Sequence, residues 1–309
     1  MRLTDKIFTD VDAAREHLEA QRWADGVFCP HCGVTTVRKL EGKSARPGVY
    51  QCNGCRGQFT VTVGTVFERS KVPLNKWLLA TYLVASSKKG VSAHQISRQL
   101  DVTYKTAWFM MHRIREAMRS DDKTPFGQGG GGVEIDETFI GKDTDAKPNK
   151  MAIRMMCKVV SLVDRETGRA RSVVVDDLRP ATLWPIVAAN VSREANLLTD
   201  EASHYKAFGK EFASHKFVSH TQKEYVSFTD KSVHTQTIEG FFSIFKRGMK
   251  GIYQHCGKQH LHRYLAEFDF RYSNRSALGC EDGERTDRLL KGIEGKRLTY
   301  RRVGEACHA

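Results

Sequence analysis

Two groups of residues have the types and spacing to do chemistry. Cys29 and Cys32 in CPHCG, and Cys52 and Cys55 in CNGC, form two Cys-x-x-Cys turns with 19 residues between Cys32 and Cys52. Two residues between ligands let one tight turn aim both sulfurs at a single ion, and two such turns make a four-thiolate zinc site. Gly33 and Gly54 suit those turns. A closed site of four sulfurs has no open position, so its zinc contributes folding energy rather than catalysis. His31, between ligands, reads as a bystander. The second group is acidic: Asp136 in VEIDETFIG, Asp200 in NLLTDEASHY and Glu239 in HTQTIEGFFSIFKRG. Hard carboxylate oxygens select Mg²⁺ or Mn²⁺. Two such ions can serve an in-line phosphodiester displacement, one at the attacking oxygen and one at the leaving oxygen. Glu134, on the strand face of Asp136, and Asp176 and Asp177, ending VVVDDL, are rivals that spacing alone does not separate. Asp200 could equally cap a helix.

Strands and helices must bring these acids together. GVEIDETFIG alternates as a strand does, MMCKVVSLVD and ARSVVVDDL form a hairpin around RETG, and NLLTD is a short buried strand. PATLWPIVAANV, with Pro180 near its start, and ASHYKAFGKEF read as helices, followed by the amphipathic TQTIEGFFSIFKRGM and QHLHRYLAEFDFRYS. The order β-β-β-α-β-α predicts an α/β domain, a mixed sheet flanked by helices. Lys246 follows Glu239 by seven residues. The two therefore share a helix face about 10 Å apart, so Lys246 could meet a DNA phosphate while Glu239 reaches a metal. Ile238, Phe241, Phe242, Phe245 and Met249 form the neighbouring stripe that docks this helix on the sheet.

Upstream, PLNKWLLATYLVASS, SAHQISRQL and TYKTAWFMMHRIREAM read as three helices, the last two as a helix-turn-helix. Ser92 and Thr103 are the caps, and Ile96, Leu100, Ala107, Met111 and Ile114 form the buried side. Tyr104, Lys105 and Thr106 stand at the end of the second helix that meets base edges, and Arg113, Arg115 and Arg119 are candidates for phosphate contacts. The net charge of +13 supports a polyanionic partner, and the excess is concentrated: residues 1–120 carry 19 Lys/Arg against 10 Asp/Glu. SDDKTPFGQGGGG, 120–132, reads as a flexible linker. The expected layout is a zinc module at 1–70, the helix-turn-helix at 71–120, the linker at 121–132, a catalytic domain at 133–279 and a basic tail at 280–309. No stretch approaches the ~18 consecutive apolar residues of a membrane span, and the charged amino terminus lacks the apolar core of a signal peptide. A cytoplasmic protein with no membrane partner is expected.

Taken in order, RWADGVFCPHCG, YQCNGCRGQFTVTVGTVFERSKVPLNKW, VEIDETFIG, LLTDEASHY, HTQTIEGFFSIFKRGMKGIYQH and KQHLHRYLAEFDFRYSNR resemble a known family. It is that of bacterial insertion-sequence DDE-type transposases with an amino-terminal transposase zinc ribbon and an integrase-like catalytic domain. The resemblance spans most of residues 20–275 and implies a ribonuclease-H-like fold. It also implies cleavage and joining of DNA strands by direct transesterification, with double-stranded DNA (transposon ends and target) as partner. By motif, Asp136 and Asp200 become the first metal ligands, Glu239 the third, and Lys246 the lysine that follows it. Gln236 stands where the family pattern leads one to expect Asn. The pairing of two DNA ends implies a homodimer or larger assembly, working at the nucleoid. A non-catalytic DNA-binding regulator, a domesticated derivative or a nuclease that cuts without joining are the competing readings.

Overall fold

The computed structural model describes residues 1–42, 45–143, 145–146, 151–222 and 224–299. The chain forms two compact units, one of residues Met1–Ser87, Val91–Arg119 and Cys280–Ala309, the other of Lys88–Gly90 and Ser120–Gly279.

The first unit begins with α1 (Val11–Arg22), capped by Asp10, whose carboxylate accepts the amides of Asp12 and Ala13. Strands β1 (Val37–Lys39), β2 (Tyr50–Cys52) and β3 (Gln58–Phe59) make a small antiparallel sheet in that order. Strands this short bury little, and the packed rings of Trp23, Tyr50 and Phe59 are the apolar anchor beside them. Three helices follow: α2 (Leu74–Ser86), α3 (Ala93–Leu100) and α4 (Tyr104–Met118). Ser92 accepts the Gln95 amide and Thr103 the Thr106 amide, while Asp101, in the left-handed region at φ 49°, ends α3. Ile96, Leu100, Ala107, Met111 and Ile114 are buried, as the expected stripe requires.

Two of the arginines expected on phosphate are not at the surface. Arg113 is 9% and Arg115 only 2% exposed. Arg113 donates to the carbonyls of Glu68 and Leu298. Their guanidinium groups pack inside the unit, so Arg113 and Arg115 are withdrawn as phosphate contacts. Tyr104, Lys105 and Arg119 are exposed and Thr106 is half-buried, and Arg119 pairs with Glu116 at 3.7 Å.

In the second unit, β4 (Gly132–Ile140), β5 (Cys157–Asp164) and β6 (Ala170–Val175) form an antiparallel meander. Then come α5 (Pro180–Asn190), β7 (Asn196–Asp200), the single turn α6 (Ser203–Lys206), β8 (Ser214–Val218), α7 (Gln236–Gly248) and α8 (Lys258–Ser273). The strand order is β6-β5-β4-β7-β8, with β4, β7 and β8 parallel. Successive residues of β4 face opposite ways. Val133 and Ile135 pack with Leu183 and Val187 of α5 and with Tyr205. On the other face, Ile140 packs with Ile238, Phe241 and Phe245 of α7 and with Leu265 and Phe268 of α8. A mixed sheet between two layers of helices is the ribonuclease-H-like arrangement.

Three expectations change here. ASHYKAFGKEF is not one helix: it stops after α6 and the chain turns through Gly209, where a side chain would meet the His215 ring. The chain then enters β8, a short strand carrying His215 and Lys216 that gives little apolar signal. The glycine-rich stretch is ordered from Phe126 onward, and Gly127 serves close packing. Phe126 is buried and exchanges backbone hydrogen bonds with Asn190 and Ser192, and the Gly127 amide donates to Asp164. Gly127 sits at φ +72° with Ala195 and Val133 against it, leaving no room for a side chain. The expected tail contains a helix, α9 (Asp282–Lys291), which packs on α2 in the first unit; Arg285 donates to the carbonyls of Ala85 and Cys280. Residues 300–309 of that segment lie outside the described residues.

Candidate functional site

The four cysteines converge. One sulfur from each of Cys29, Cys32, Cys52 and Cys55 lies within 4.8 Å of the others, with Cys29 and Cys55 at 3.7 Å and Cys32 and Cys52 at 3.6 Å. A tetrahedral ion with Zn–S bonds of ~2.3 Å requires sulfurs about 3.8 Å apart. The Cys55 amide donates to the Cys52 sulfur and holds that thiol down at about 7, toward the thiolate a metal needs. The amide of His31 donates to the Cys29 sulfur, so this residue contributes through its backbone. The residues present fit a structural zinc.

The acids are positioned by the parallel pair β4–β7. Gly132, Val133 and Glu134 stand opposite Asn196, Leu197 and Leu198. The pairing ends at Glu134 and Leu198, two residues before Asp136 and before Asp200, the last residue of β7, and by alternation both acids point to the sheet face covered by α7. Glu239 is in the first turn of α7, exposed, with the Thr235 hydroxyl donating to its carboxylate at 3.0 Å. Burial pushes the Asp136 carboxyl up to about 8, and the negative charges of Glu137, Asp200 and Glu239 push the same way. Asp136 is thus within electrostatic reach of both Asp200 and Glu239. Among the described residues, the cysteines alone form a group of three or more whose ligand atoms all lie within 4.8 Å of one another; the three carboxylates do not close to that degree as a group.

Asp200 has a local task as well. One of its oxygens accepts the Ala202 amide at 3.0 Å, which tightens the turn into α6. A carboxylate can serve a turn and a ligand site together.

The rivals have other work. Glu134 is fully buried: one oxygen takes the Arg165 guanidinium at 2.6 Å, the other the Ile238 amide at 2.8 Å. That amide belongs to the first turn of α7, so Glu134 caps the helix that carries Glu239. Arg165 also donates to the carbonyls of Ser232 and His234 in the preceding loop. We expect Glu134→Ala to lower stability by about 3–5 kcal/mol, the usual result of removing one partner of a buried pair. Glu134→Gln, which can still accept the Ile238 amide, should lose less. Thermal melting checks both, and equal melting for Glu134→Ala and the parent would refute the capping role. Asp176 pairs with Lys258 at 3.1 Å, and Asp177 is held by Arg179 and Thr182. Both follow β6 at the far edge of the sheet and do not join the acids on β4 and β7.

Glu137 went unnoticed in the sequence because it faces the opposite side of β4. Its carboxylate accepts the Tyr205 hydroxyl at 2.7 Å and lies 3.3 Å from a His204 ring nitrogen. Burial pushes Glu137 up, but the hydrogen bonds from His204 and Tyr205 and the His204 charge outweigh it and hold it below its ordinary value. Tyr205 and His204 are therefore packing residues that tie α6 to β4 behind Asp136. Lys246 lies on the Glu239 face of α7 with its ammonium 5.8 Å from the Phe242 ring centre. Gln236 is the exposed first residue of α7; its amide, rather than its side chain, meets His234.

Residues 128–273 match the ISXO2-like transposase domain, and residues 10–58 match the transposase zinc-ribbon domain. The chain is 27% identical over 281 residues to an uncharacterized protein in transposable element ISH50 of Halobacterium salinarum, across 86% of this chain and 92% of that relative. Among solved structures, a chain of a simian T-cell lymphotropic virus intasome in complex with PP2A regulatory subunit B56 gamma aligns at a TM-score of 0.27 and 12% identity. That alignment covers 56% of this chain and 63% of the other. So low a score carries no weight beside the sequence matches. The cysteines fall in one matched domain and the acids in the other, in the order the resemblance requires: the chain carries a transposase zinc-ribbon domain followed by an ISXO2-like transposase domain, the two parts of a DNA transposase.

Proposed function

We propose that the protein grips the terminal inverted repeats of its insertion sequence and cuts and joins DNA strands at Asp136, Asp200 and Glu239. The observation that supports this reading is the β4–β7 pairing, whose last paired residues come two before Asp136 and two before Asp200, with the charges of Asp200 and Glu239 both felt at Asp136. The donor set is made of hard oxygens whose like charges oppose one another, which is the setting that accepts divalent cations. Asp136, Asp200 and Glu239 would hold Mg²⁺ or Mn²⁺, which would supply the Lewis-acid chemistry of phosphoryl transfer to water and then to the exposed 3′-hydroxyl. Asp136 and Asp200 give a rigid base because both stand on the central strands. Glu239 is delivered by a helix whose first turn is fixed by Glu134, and Thr235 orients its carboxylate. Lys246 steadies a phosphate of the bound strand. In the first unit, Tyr104, Lys105 and Thr106 at the start of α4 meet base edges and Arg119 meets phosphate. Two ends must be held together for joining, so the working form is a dimer or larger assembly at the bacterial nucleoid. No helix among the described residues is long and apolar enough to cross a membrane.

The test is incubation of the full chain with duplexes taken from the ends of its element and a supercoiled plasmid, with and without added Mg²⁺. Metal-dependent exposure of a 3′-hydroxyl followed by joining to the plasmid is expected. Cutting without joining would mark a nuclease, and binding without cutting a DNA-binding regulator; either outcome replaces the proposal.

A further inference from the structure

The face of α7 that carries Glu239 does not end with the acid. Glu239, Ser243, Lys246 and Lys250 follow at i, i+4, i+7 and i+11, one stripe of a helix, with Lys250 on the wider helical turn Met249–Tyr253 that prolongs α7. Beyond Glu239 this stripe borders a cleft of about 660 Å³ whose charged walls are Lys89, Lys246, Arg247 and Lys250. Arg247 donates to Ser243, which keeps its guanidinium along the cleft. Among the described residues, Lys89, Lys246 and Lys250 have no carboxylate partner, unlike Lys216 or Lys258. Four cations gathered without counter-charge repel one another and call for an anion of matching extent.

Lys89 reaches this cleft from a distant part of the sequence, and the approach is built by two glycines. A side chain on Gly248 would lie 2.5 Å from the Lys89 carbonyl oxygen and 2.4 Å from the Phe268 ring. One on Gly90, at φ +110°, would lie 2.1 Å from the Tyr253 hydroxyl. Tyr253 is itself held by Glu267 of α8. Bare backbone on both sides therefore lets the Lys88–Gly90 segment lie against the end of α7.

We propose that this cleft is a subsite for the sugar-phosphate backbone, seating successive phosphates of the DNA strand whose reacting end lies at Asp136, Asp200 and Glu239; it rests on the catalytic reading above. From Glu239 to Lys250 is about 16 Å along the axis. At ~3.4 Å per nucleotide that is roughly five nucleotides, so the cations fall on phosphates a few positions from the reacting one. The contacts are to phosphate and carry no sequence preference.

The experiment measures binding of fluorescent duplexes, one from the element's end and one scrambled, over a salt series with zinc-loaded full-length protein and no added Mg²⁺. Lys89→Ala/Lys250→Ala should lower the slope of log affinity against log salt by about two and weaken both duplexes by about tenfold or more. Lys89→Arg/Lys250→Arg should keep the parent slope. An unchanged slope in the alanine pair at an unchanged melting temperature overturns the subsite. So would loss confined to the end duplex, which marks base reading, and an affinity gain for an acidic polypeptide competitor over DNA, which marks a protein partner. Strand cutting by the parent protein, measured on the same preparation, separates the two proposals. A reduced slope with no cutting leaves the subsite standing and removes the catalytic reading; cutting with an unchanged slope does the reverse.

Discussion

Asp200→Ala should reduce strand cutting and joining by about a thousandfold or more while DNA binding persists. Loss of one ligand from a site that stabilises phosphoryl transfer removes several kcal/mol of transition-state stabilisation, and about 1.4 kcal/mol is a factor of ten in rate. Binding persists because the basic helices and the cations along α7 do not depend on this carboxylate. The variant alone does not separate ligand from turn, since Asp200 also accepts the Ala202 amide. Asp200→Asn does separate them: the amide oxygen can still accept that hydrogen bond, and only the charge is lost. If Asp200 is a ligand, Asn and Ala fail alike; if it only shapes the turn into α6, Asn cuts at nearly the parent rate. A single-turnover cutting assay with both variants, beside a binding isotherm for each, is decisive.

Cys52→Ser should unfold the small sheet around residues 29–59 and abolish zinc retention. Cys52 is fully buried at the end of β2, and its sulfur faces Cys32 at 3.6 Å. Strands of three, three and two residues cannot hold the turns in place alone. Zinc binding is worth roughly 10–16 kcal/mol in small zinc-dependent modules, so losing a ligand exceeds what Trp23, Tyr50 and Phe59 can recover by packing. The parent should carry about one zinc per chain, and the variant should be cut by protease within this segment. Metal analysis that finds no zinc in gently purified parent protein would defeat the assignment.

What could be read from the sequence was what is written locally. Cys-x-x-Cys turns, the Ser92 and Thr103 caps and the apolar stripe of α7 each need only a few neighbouring residues. The acids were legible as candidates, because Asp136 interrupts an apolar alternation and Asp200 ends a buried run. Their choice over Glu134 was not legible: an acid facing the same way two residues earlier differs only in meeting Arg165 and the Ile238 amide, 31 and 104 residues on. Arg113 and Arg115 misled for the same reason. Polar residues at the edge of an amphipathic stripe read as solvent-facing, but the carbonyls that receive Arg113 come 45 residues before it and 185 after it. The glycines near Phe126 misled in the opposite sense, since tight backbone approach and flexibility call for the same residue.

The return of α9 to α2 has a consequence for how the protein is made. A nascent chain emerges amino end first, and its two units cannot finish in that order. The second unit closes with residue 279, before α9 has left the ribosome. The helices up to Arg119 must therefore wait for roughly 160 more residues, about ten seconds or longer at ~5–20 residues per second. Throughout that delay the flank of α2 destined for α9 stays bare, so the unit that carries the four cysteines matures last and depends longest on protection from aggregation.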